Sequence, residues 1–171
     1  TAASERGAET VADTPVAKLD DEPAPPDAAT ARPPAPRVRR TLGSLDPQGS
    51  AKMLVTLTSR GAAVERIELA DPKFHDQDDR SGYLGHLAPT VVPEGCRVGV
   101  VGEGTPADAA GLRVGDVIVG VAGAATADPA AFHEVLARTR PGQKVAISYL
   151  RDGVAGACEA TLGRRPLEVV R

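Results

Sequence analysis

The chain has 171 residues, a formal net charge of −3 and four aromatic side chains, Phe74, Tyr83, Phe132 and Tyr149. This length accommodates one ordinary domain with additional segments. The lack of a basic surface interleaved with aromatic residues argues against nucleic-acid binding, and no apolar run approaches the 18 residues of a membrane span.

Residues 1–40 are rich in proline and alanine and predict a disordered linker. They contain seven of the 15 prolines and none of the aromatic residues. Proline fixes φ and removes a backbone donor, while alanine and charged residues offer little apolar surface to bury. We therefore expect a semi-rigid tether with polyproline character.

Residues 41–75 predict a β-hairpin. Alternate residues of a first strand are apolar, at Met53, Val55 and Leu57, and this alternation places them on one side of the strand. After the turn sequence SRG, a second strand shows one slip in its alternation, between Val64 and Ile67. An isolated hairpin is marginally stable in water, so these strands need further strands to pair with.

Residues 76–165 predict a mainly β domain with two helices, in the order β, β, α, β, α, β, β. The first strands include residues 96–104. A short helix begins at Thr105, because threonine caps helices, proline suits the first helical position and Asp108 completes a capping box. A longer helix covers residues 128–139, where apolar residues recur at three- and four-residue spacing. Asp152 and Gly153 predict the tip of the last hairpin.

The cysteines and histidines indicate neither a catalytic nor a metal site. Cys96 and Cys158 are too far apart for a metal-ligand pair. They predict two small buried side chains or, in an oxidising compartment, a disulfide. His75 lies in an acidic stretch, which we interpret as a solvated loop. We therefore expect no enzyme activity, no metal and no cofactor.

Four stretches of the predicted domain form a specific pattern. In chain order they are GYLGHL, GTPADAAGLRVGDVIVGVAG, AAFHEVLART and PGQKVAISYLRDG. This pattern resembles a PDZ domain of the bacterial HtrA-protease type. The resemblance implies a partly open β-barrel or sandwich capped by a short and a longer helix. It also implies that the domain binds a C-terminal or extended peptide of another protein, by β-augmentation with capture of the carboxylate.

The PDZ resemblance implies a set of binding residues. The family's hydrophobic-glycine-hydrophobic loop, which binds the peptide carboxylate, matches Tyr83, Leu84, Gly85 and His86. Glycine lets this loop turn and lets the ligand approach closely. His86 departs from the pattern, because the family usually has an apolar residue there.

The peptide groove is expected between a strand that begins at His86 and the longer helix. We assign Leu87, Val135 and Thr139 to the groove. Phe132 and Leu136, on the same helix, are assigned to the core.

A second resemblance covers residues 41–70. The stretch LVTLTSRGAAVERIEL is similar to the start of the periplasmic β-sandwich of YidC-type membrane protein insertases. Residues 166–171 resemble a strand that resumes this sandwich, which implies that the PDZ domain is inserted into it; such insertions are tolerated because domain termini often lie close together. The chain would then be a monomeric fragment of a membrane-anchored protein, on the periplasmic side of a bacterial inner membrane.

Three functions follow from these patterns. The leading hypothesis is a non-enzymatic peptide-binding module in the extracytoplasmic region of a YidC-like insertase. The alternative is the regulatory PDZ domain of an envelope HtrA-type or intramembrane protease whose catalytic domain lies outside this chain. The third is a spacer whose groove binds no peptide.

Overall fold

The computed structural model describes residues 36–170, so nearly all of the predicted linker lies outside the described residues. The described chain forms two antiparallel sheets and two helices, and neither sheet closes into a barrel. The helices are α1 (Pro106–Ala109) and α2 (Pro129–Ala137). The strands are β1 (Arg39–Gly43), β2 (Met53–Thr58), β3 (Ala63–Leu69), β4 (Thr90–Val92), β5 (Gly95–Arg97), β6 (Val117–Val121), β7 (Ala124–Ala125), β8 (Lys144–Arg151), β9 (Val154–Thr161) and β10 (Glu168–Val170). The predicted fold class, mainly β with two helices, is confirmed.

The four-stranded sheet has the order β1-β2-β3-β10. Its hairpin, β2 and β3, is joined by a short 3-10 turn at Arg60–Ala62. The predicted slip in β3 is a β-bulge: Thr56 pairs with Arg66 but Leu57 pairs with Val64, so Glu65 is the extra residue. The hairpin gains its missing partners from both directions, because β1 precedes it and β10 follows the second sheet in the chain.

The predicted strand is confirmed, and the face of β2 that carries Met53, Val55 and Leu57 is the less buried of its two faces. Leu54 is 1% exposed, whereas Met53 is 41% exposed, so the buried side is the one that carries Leu54, Thr56 and Thr58. The reason is a contact with the segment before α1: a Cβ on Gly102 would lie 2.3 Å from Leu54 Cδ2. Both faces of β2 carry apolar residues, and the alternation alone did not show which face has this partner.

The six-stranded sheet follows the order β4-β5-β6-β8-β9, with β7 paired to β6. Its core includes Phe132 and Leu136 of α2, as predicted. The strand predicted over 96–104 is shorter than expected, because Val98 donates to the Asp116 carbonyl and the next two amides share the carbonyl of Leu87. The cysteines are unpaired, Cys96 being buried and Cys158 half-buried.

The predicted caps and turn tip of this region are confirmed. The Thr105 hydroxyl accepts the Asp108 N–H, and Pro106 occupies the first turn of α1. The Asp108 carboxylate accepts the N–H of Gly104, one residue before the cap. The β8–β9 hairpin turns through Asp152 and Gly153 with φ of 51° and 81°, as a type I′ turn requires. These features depend on residues close in sequence, which is why the sequence predicts them well.

A buried carboxylate anchors β6 to β8. Asp116 accepts hydrogen bonds from Arg151 Nε at 2.8 Å and Nη2 at 2.7 Å, and from the Arg113 N–H at 2.8 Å. Burial acts to raise the pKa of Asp116, but the hydrogen bonds from Arg151 and Arg113 outweigh it, so the pKa is lowered.

Replacing Asp116 by asparagine should reduce the free energy of unfolding by about 2 kcal/mol at pH 7, the scale of hydrogen bonds to a charged group. A lowered pKa in the folded state gives stability that is present above the unfolded value of 3.8 and is lost as the pH falls through the folded value. The difference between wild type and Asp116→Asn should therefore shrink below about pH 4. Urea unfolding at several pH values measures it, with Glu94→Gln, an exposed change, as the control; a pH-independent difference would contradict the assignment.

Candidate functional site

The loop predicted to bind carboxylates, residues 83–86, begins at an isolated β-bridge between Tyr83 and Gly163 and continues into a segment without regular structure. Tyr83 and Gly163 exchange two backbone hydrogen bonds, of 3.0 and 2.9 Å, which fix the start of the loop to the end of the six-stranded sheet. At Gly85 φ is +133°, and a Cβ there would lie 3.2 Å from the Cβ of buried Thr105. Position 85 therefore requires glycine for two reasons, its backbone conformation and the nearness of Thr105.

The backbone amides of this loop divide into occupied and unoccupied donors. The Tyr83 N–H donates to the Gly163 carbonyl, and the His86 N–H donates to the Tyr83 hydroxyl oxygen at 3.1 Å. Within residues 36–170, the N–H groups of Leu84 and Gly85 have no hydrogen-bond acceptor. Two consecutive amides are thus the donors that the loop has available for an anion.

The Tyr83 hydroxyl connects the loop to the four-stranded sheet. It donates to Glu68 Oε1 on β3 while it accepts the His86 N–H. Glu68 is 0% exposed, and its Oε2 is buried without a hydrogen-bond partner in the described part of the chain. Burial raises the pKa of Glu68, although the hydrogen bond from Tyr83 and the charge of Arg66 oppose it. Burial and Glu68 also raise the pKa of Tyr83.

The His86 side chain is half-buried and uncharged at neutral pH. Burial, followed by the positive charges of Arg66 and Arg39 on the four-stranded sheet, lowers its pKa to about 4, with Glu65 acting in the opposite direction. Its Nε2 is buried with no hydrogen-bond partner among residues 36–170. The residue that departs from the family pattern is therefore an uncharged imidazole beside the charged residues of β1 and β3.

The predicted groove residues have different environments. Leu87 is 2% exposed and Thr139 is 3% exposed. The Thr139 hydroxyl donates to the Leu136 carbonyl, and the Leu87 carbonyl accepts two amides from the next strand segment. Val135 is half-buried and packs against the core. Of these three side chains, only that of Val135 has surface that a peptide could contact.

The strand expected to begin at His86 is irregular. Residues 84–89 lie outside any strand, and Ala88 has a positive φ of 44°. Regular pairing starts at β4, which is an edge strand and, among residues 36–170, pairs only with β5. The open edge that β-augmentation requires is therefore that of β4 and not of the loop itself.

A surface cavity of about 420 Å³ lies along the C-terminal half of α2. Ser81, His133, Leu136 and Ala137 line it, together with Arg80, Arg140 and Arg165. Sequence reasoning missed these arginines. The three arginines lie in connecting segments, within the sequences RSGYLG, ARTRPG and GRRP. Only the fold brings them together, and nothing in the separate segments indicates it.

Comparison with known proteins decides the family. A sequence model of the PDZ domain matches residues 55–162. The chain belongs to the PDZ domain family. The match begins within β2 and includes the β2–β3 hairpin, and a PDZ domain is a non-catalytic module. Among residues 36–170, no helix has the length and apolar character needed to cross a membrane.

Relatives place this PDZ domain in the bacterial HtrA and DegP type. Two probable periplasmic serine endoproteases, described as DegP-like, from Hahella chejuensis and Ectopseudomonas mendocina, are each 36% identical over 76 residues. The aligned part is 44% of this chain and 16% of each relative, so the chain spans a small part of their length. A solved HtrA-type protease with a decapeptide is 33% identical over 52% of this chain and 30% of its own, with a TM-score of 0.48.

Proposed function

We propose that this PDZ domain binds the C-termini of other proteins on the extracytoplasmic side of a bacterial membrane, without catalysing a reaction. The observation that carries the proposal is the pair of unoccupied amides at Leu84 and Gly85, in the loop that matches the family's carboxylate-binding loop. A peptide carboxylate must exchange water for donors of comparable strength, and charge-assisted hydrogen bonds from backbone amides meet that requirement.

The edge of the six-stranded sheet supports the second half of the binding mode. Because β4 pairs only with β5 in the described part of the chain, an extended peptide can add a strand to its free edge. The residues just before the carboxylate would then run along β4, while the last residue lies near α2. Val135 and Ala137 provide the apolar surface on the helix side, and the Glu68–Tyr83–His86 hydrogen bonds hold the loop in place.

The parent protein that the relatives favour is an envelope protease of the HtrA type, with its catalytic domain outside this chain. The DegP-like relatives support this context and a periplasmic location, and the domain would then present substrates or regulatory peptides to the protease.

A specific observation also supports a YidC-like insertase as a second candidate. β10, which follows the PDZ residues, pairs with β3, which precedes most of them, as an insertion between neighbouring strands would produce. The boundaries proposed for that insertion, at residues 75/76 and 165/166, remain predictions. The reading frame around this chain separates the two contexts, since a protease domain supports the first and insertase transmembrane helices support the second.

Free-acid peptides should bind at least about tenfold more tightly than the same peptides with amidated C-termini, because amidation removes the charge that the two amides bind. Fluorescence anisotropy with matched pairs from a library of C-terminal sequences measures the ratio. Equal affinities within every pair would overturn carboxylate capture.

Gly85→Ala should weaken free-acid binding by about the same factor, because it strains the loop against Thr105. Gly123→Ala is the matched control, since Gly123 also has a positive φ but no atom near its Cβ position.

A further inference from the structure

The cavity along α2 is one part of a larger positively charged depression. A second cavity, of about 710 Å³, shares Asp79, Arg80, Arg140 and Arg165 with it and extends to His75 and Arg164. We call the two together the arginine depression. It joins the apolar surface of Leu136 and Ala137 to the segment that enters the carboxylate-binding loop.

The positive charge of the depression is only partly neutralised. Arg165 lies 2.8 Å from Asp79 Oδ2 and 3.8 Å from Glu168 Oε1. Asp76 is the second carboxylate that lines the depression. Arg80, Arg140 and Arg164 form no ion pair with any residue of the described chain. Hydrogen bonds from Ser81, and then the charge of Arg165, lower the pKa of Asp79. The Asp79 carboxylate therefore already binds Ser81 and Arg165.

His133, on α2, does not change this balance. Burial and the charges of Arg165 and Arg66 lower the pKa of His133, so it adds no positive charge at neutral pH. Guanidinium groups, in contrast, stay protonated throughout the physiological range and bind carboxylates through two parallel hydrogen bonds. The unpaired cations of the depression are thus Arg80, Arg140 and Arg164.

We infer that the domain selects C-termini whose last residue has an acidic side chain. This inference rests on the proposed function. In this inference the terminal carboxylate lies at the Leu84 and Gly85 amides, and the last side chain enters the cavity between α2 and Ser81, two residues before Tyr83. Leu136 and Ala137 contact its methylene groups, and Arg80 and Arg140 bind its carboxylate. A purely apolar side chain would remove water from these guanidinium groups without giving them a hydrogen-bond partner, which is unfavourable.

The test compares peptides that differ only in the last residue, Glu, Gln or Val, each as a free acid and as an amide. Anisotropy titrations use the complete 171-residue chain. The Glu free acid should bind about five- to tenfold more tightly than the isosteric Gln free acid, since only the Glu peptide adds a charge-assisted bond. The ratio of the two affinities should fall when the salt concentration is raised from 0.05 to 0.5 M, because salt screens the attraction between exposed charges.

The double variant Arg80→Gln, Arg140→Gln should remove the preference for Glu over Gln. Both side chains are exposed, so the fold should be retained. Arg97→Gln, an exposed arginine of β5 outside the depression, is the control and should keep the preference. Equal binding of Glu and Gln peptides, or a preference that survives in the double variant, would overturn the inference while leaving carboxylate capture intact. Equal binding of free acids and amides, or no binding at all, would overturn the proposed function together with it.

Discussion

Replacing Glu68 by alanine should lower the free energy of unfolding by about 3 kcal/mol, whereas Glu68→Gln should leave it unchanged or raise it at pH 7. Alanine removes the acceptor of the buried Tyr83 hydroxyl and leaves a cavity where a fully buried side chain was. Glutamine keeps the acceptor and the shape. It also removes a negative charge whose second oxygen has no hydrogen-bond partner within residues 36–170.

The pH dependence of the Glu68→Gln effect has a definite sign. The pKa of Glu68 is raised above its ordinary 4.5. Stability from such a group is fully present below the unfolded pKa and is lost as the pH rises through the folded pKa. Wild type should therefore be most similar to Glu68→Gln near pH 4.5 and should fall behind it as the pH approaches neutrality. Urea denaturation between pH 4.5 and 8 measures this difference, and a difference that widens towards acidic pH would contradict it.

A double-mutant cycle separates the Glu68–Tyr83 hydrogen bond from the cavity. Tyr83→Phe removes the hydroxyl that Glu68→Ala leaves unsatisfied, so the two changes together should cost at least about 1 kcal/mol less than their sum. Loss of the hydroxyl also removes the acceptor of the His86 N–H. Hydrogen exchange at that amide should therefore accelerate in Tyr83→Phe. If exchange at His86 does not change, the hydroxyl does not hold the loop.

The features that the sequence predicted well are those whose partners are near in the chain. Thr105 and Asp108 lie three positions apart, and Asp152 and Gly153 are adjacent, so capping and turn chemistry decide them without reference to the rest of the fold. The assignment of Tyr83, Leu84, Gly85 and His86 to a carboxylate-binding loop depends on a contiguous motif and stays a prediction. The sequence could not show that its amides at Tyr83 and His86 are occupied internally, since the acceptors are Gly163 and a side chain that is itself oriented by Glu68.

The features that the sequence missed depend on packing between the two sheets. The burial of Leu54 instead of Met53 is decided by Gly102, almost 50 residues later. The burial of Leu87 and Thr139 reflects internal hydrogen bonds and core packing that no periodicity in their own segments indicates. The arginine depression combines residues from three separate segments. In each case the local pattern is compatible with several environments, and only the tertiary contact selects one.

The contact between Leu54 and Gly102 should be the second large contribution to stability. Leu54→Ala should cost about 3 kcal/mol, as for other fully buried leucines. Gly102→Ala should cost about 1–3 kcal/mol by overpacking, because its new Cβ would lie 2.3 Å from Leu54 Cδ2. The added methyl fills part of the space that Leu54→Ala vacates. The double variant should therefore be more stable than the sum of the single effects predicts, by at least about 1 kcal/mol.

Equilibrium denaturation of the four proteins gives this coupling energy, and Gly120→Ala combined with Leu54→Ala provides the control. Gly120 lies in β6 and its nearest neighbours are Ala124 and Ser148, so its effect should add to that of Leu54→Ala within about 0.5 kcal/mol. Additive effects for Gly102 as well would contradict the packing of β2 on the segment before α1.

The same measurements test whether the four-stranded sheet folds together with the PDZ core. Leu54 on β2 and Glu68 on β3 contact the six-stranded part through different residues, Gly102 and Tyr83. Two buried contacts of this size should make unfolding a single cooperative transition, in which fluorescence and far-ultraviolet circular dichroism change together. Two separate transitions would mean that the hairpin is an independent unit attached to the PDZ domain. One transition would mean that the loop proposed to bind peptides derives its order from β3, so that changes in the four-stranded sheet should alter peptide affinity.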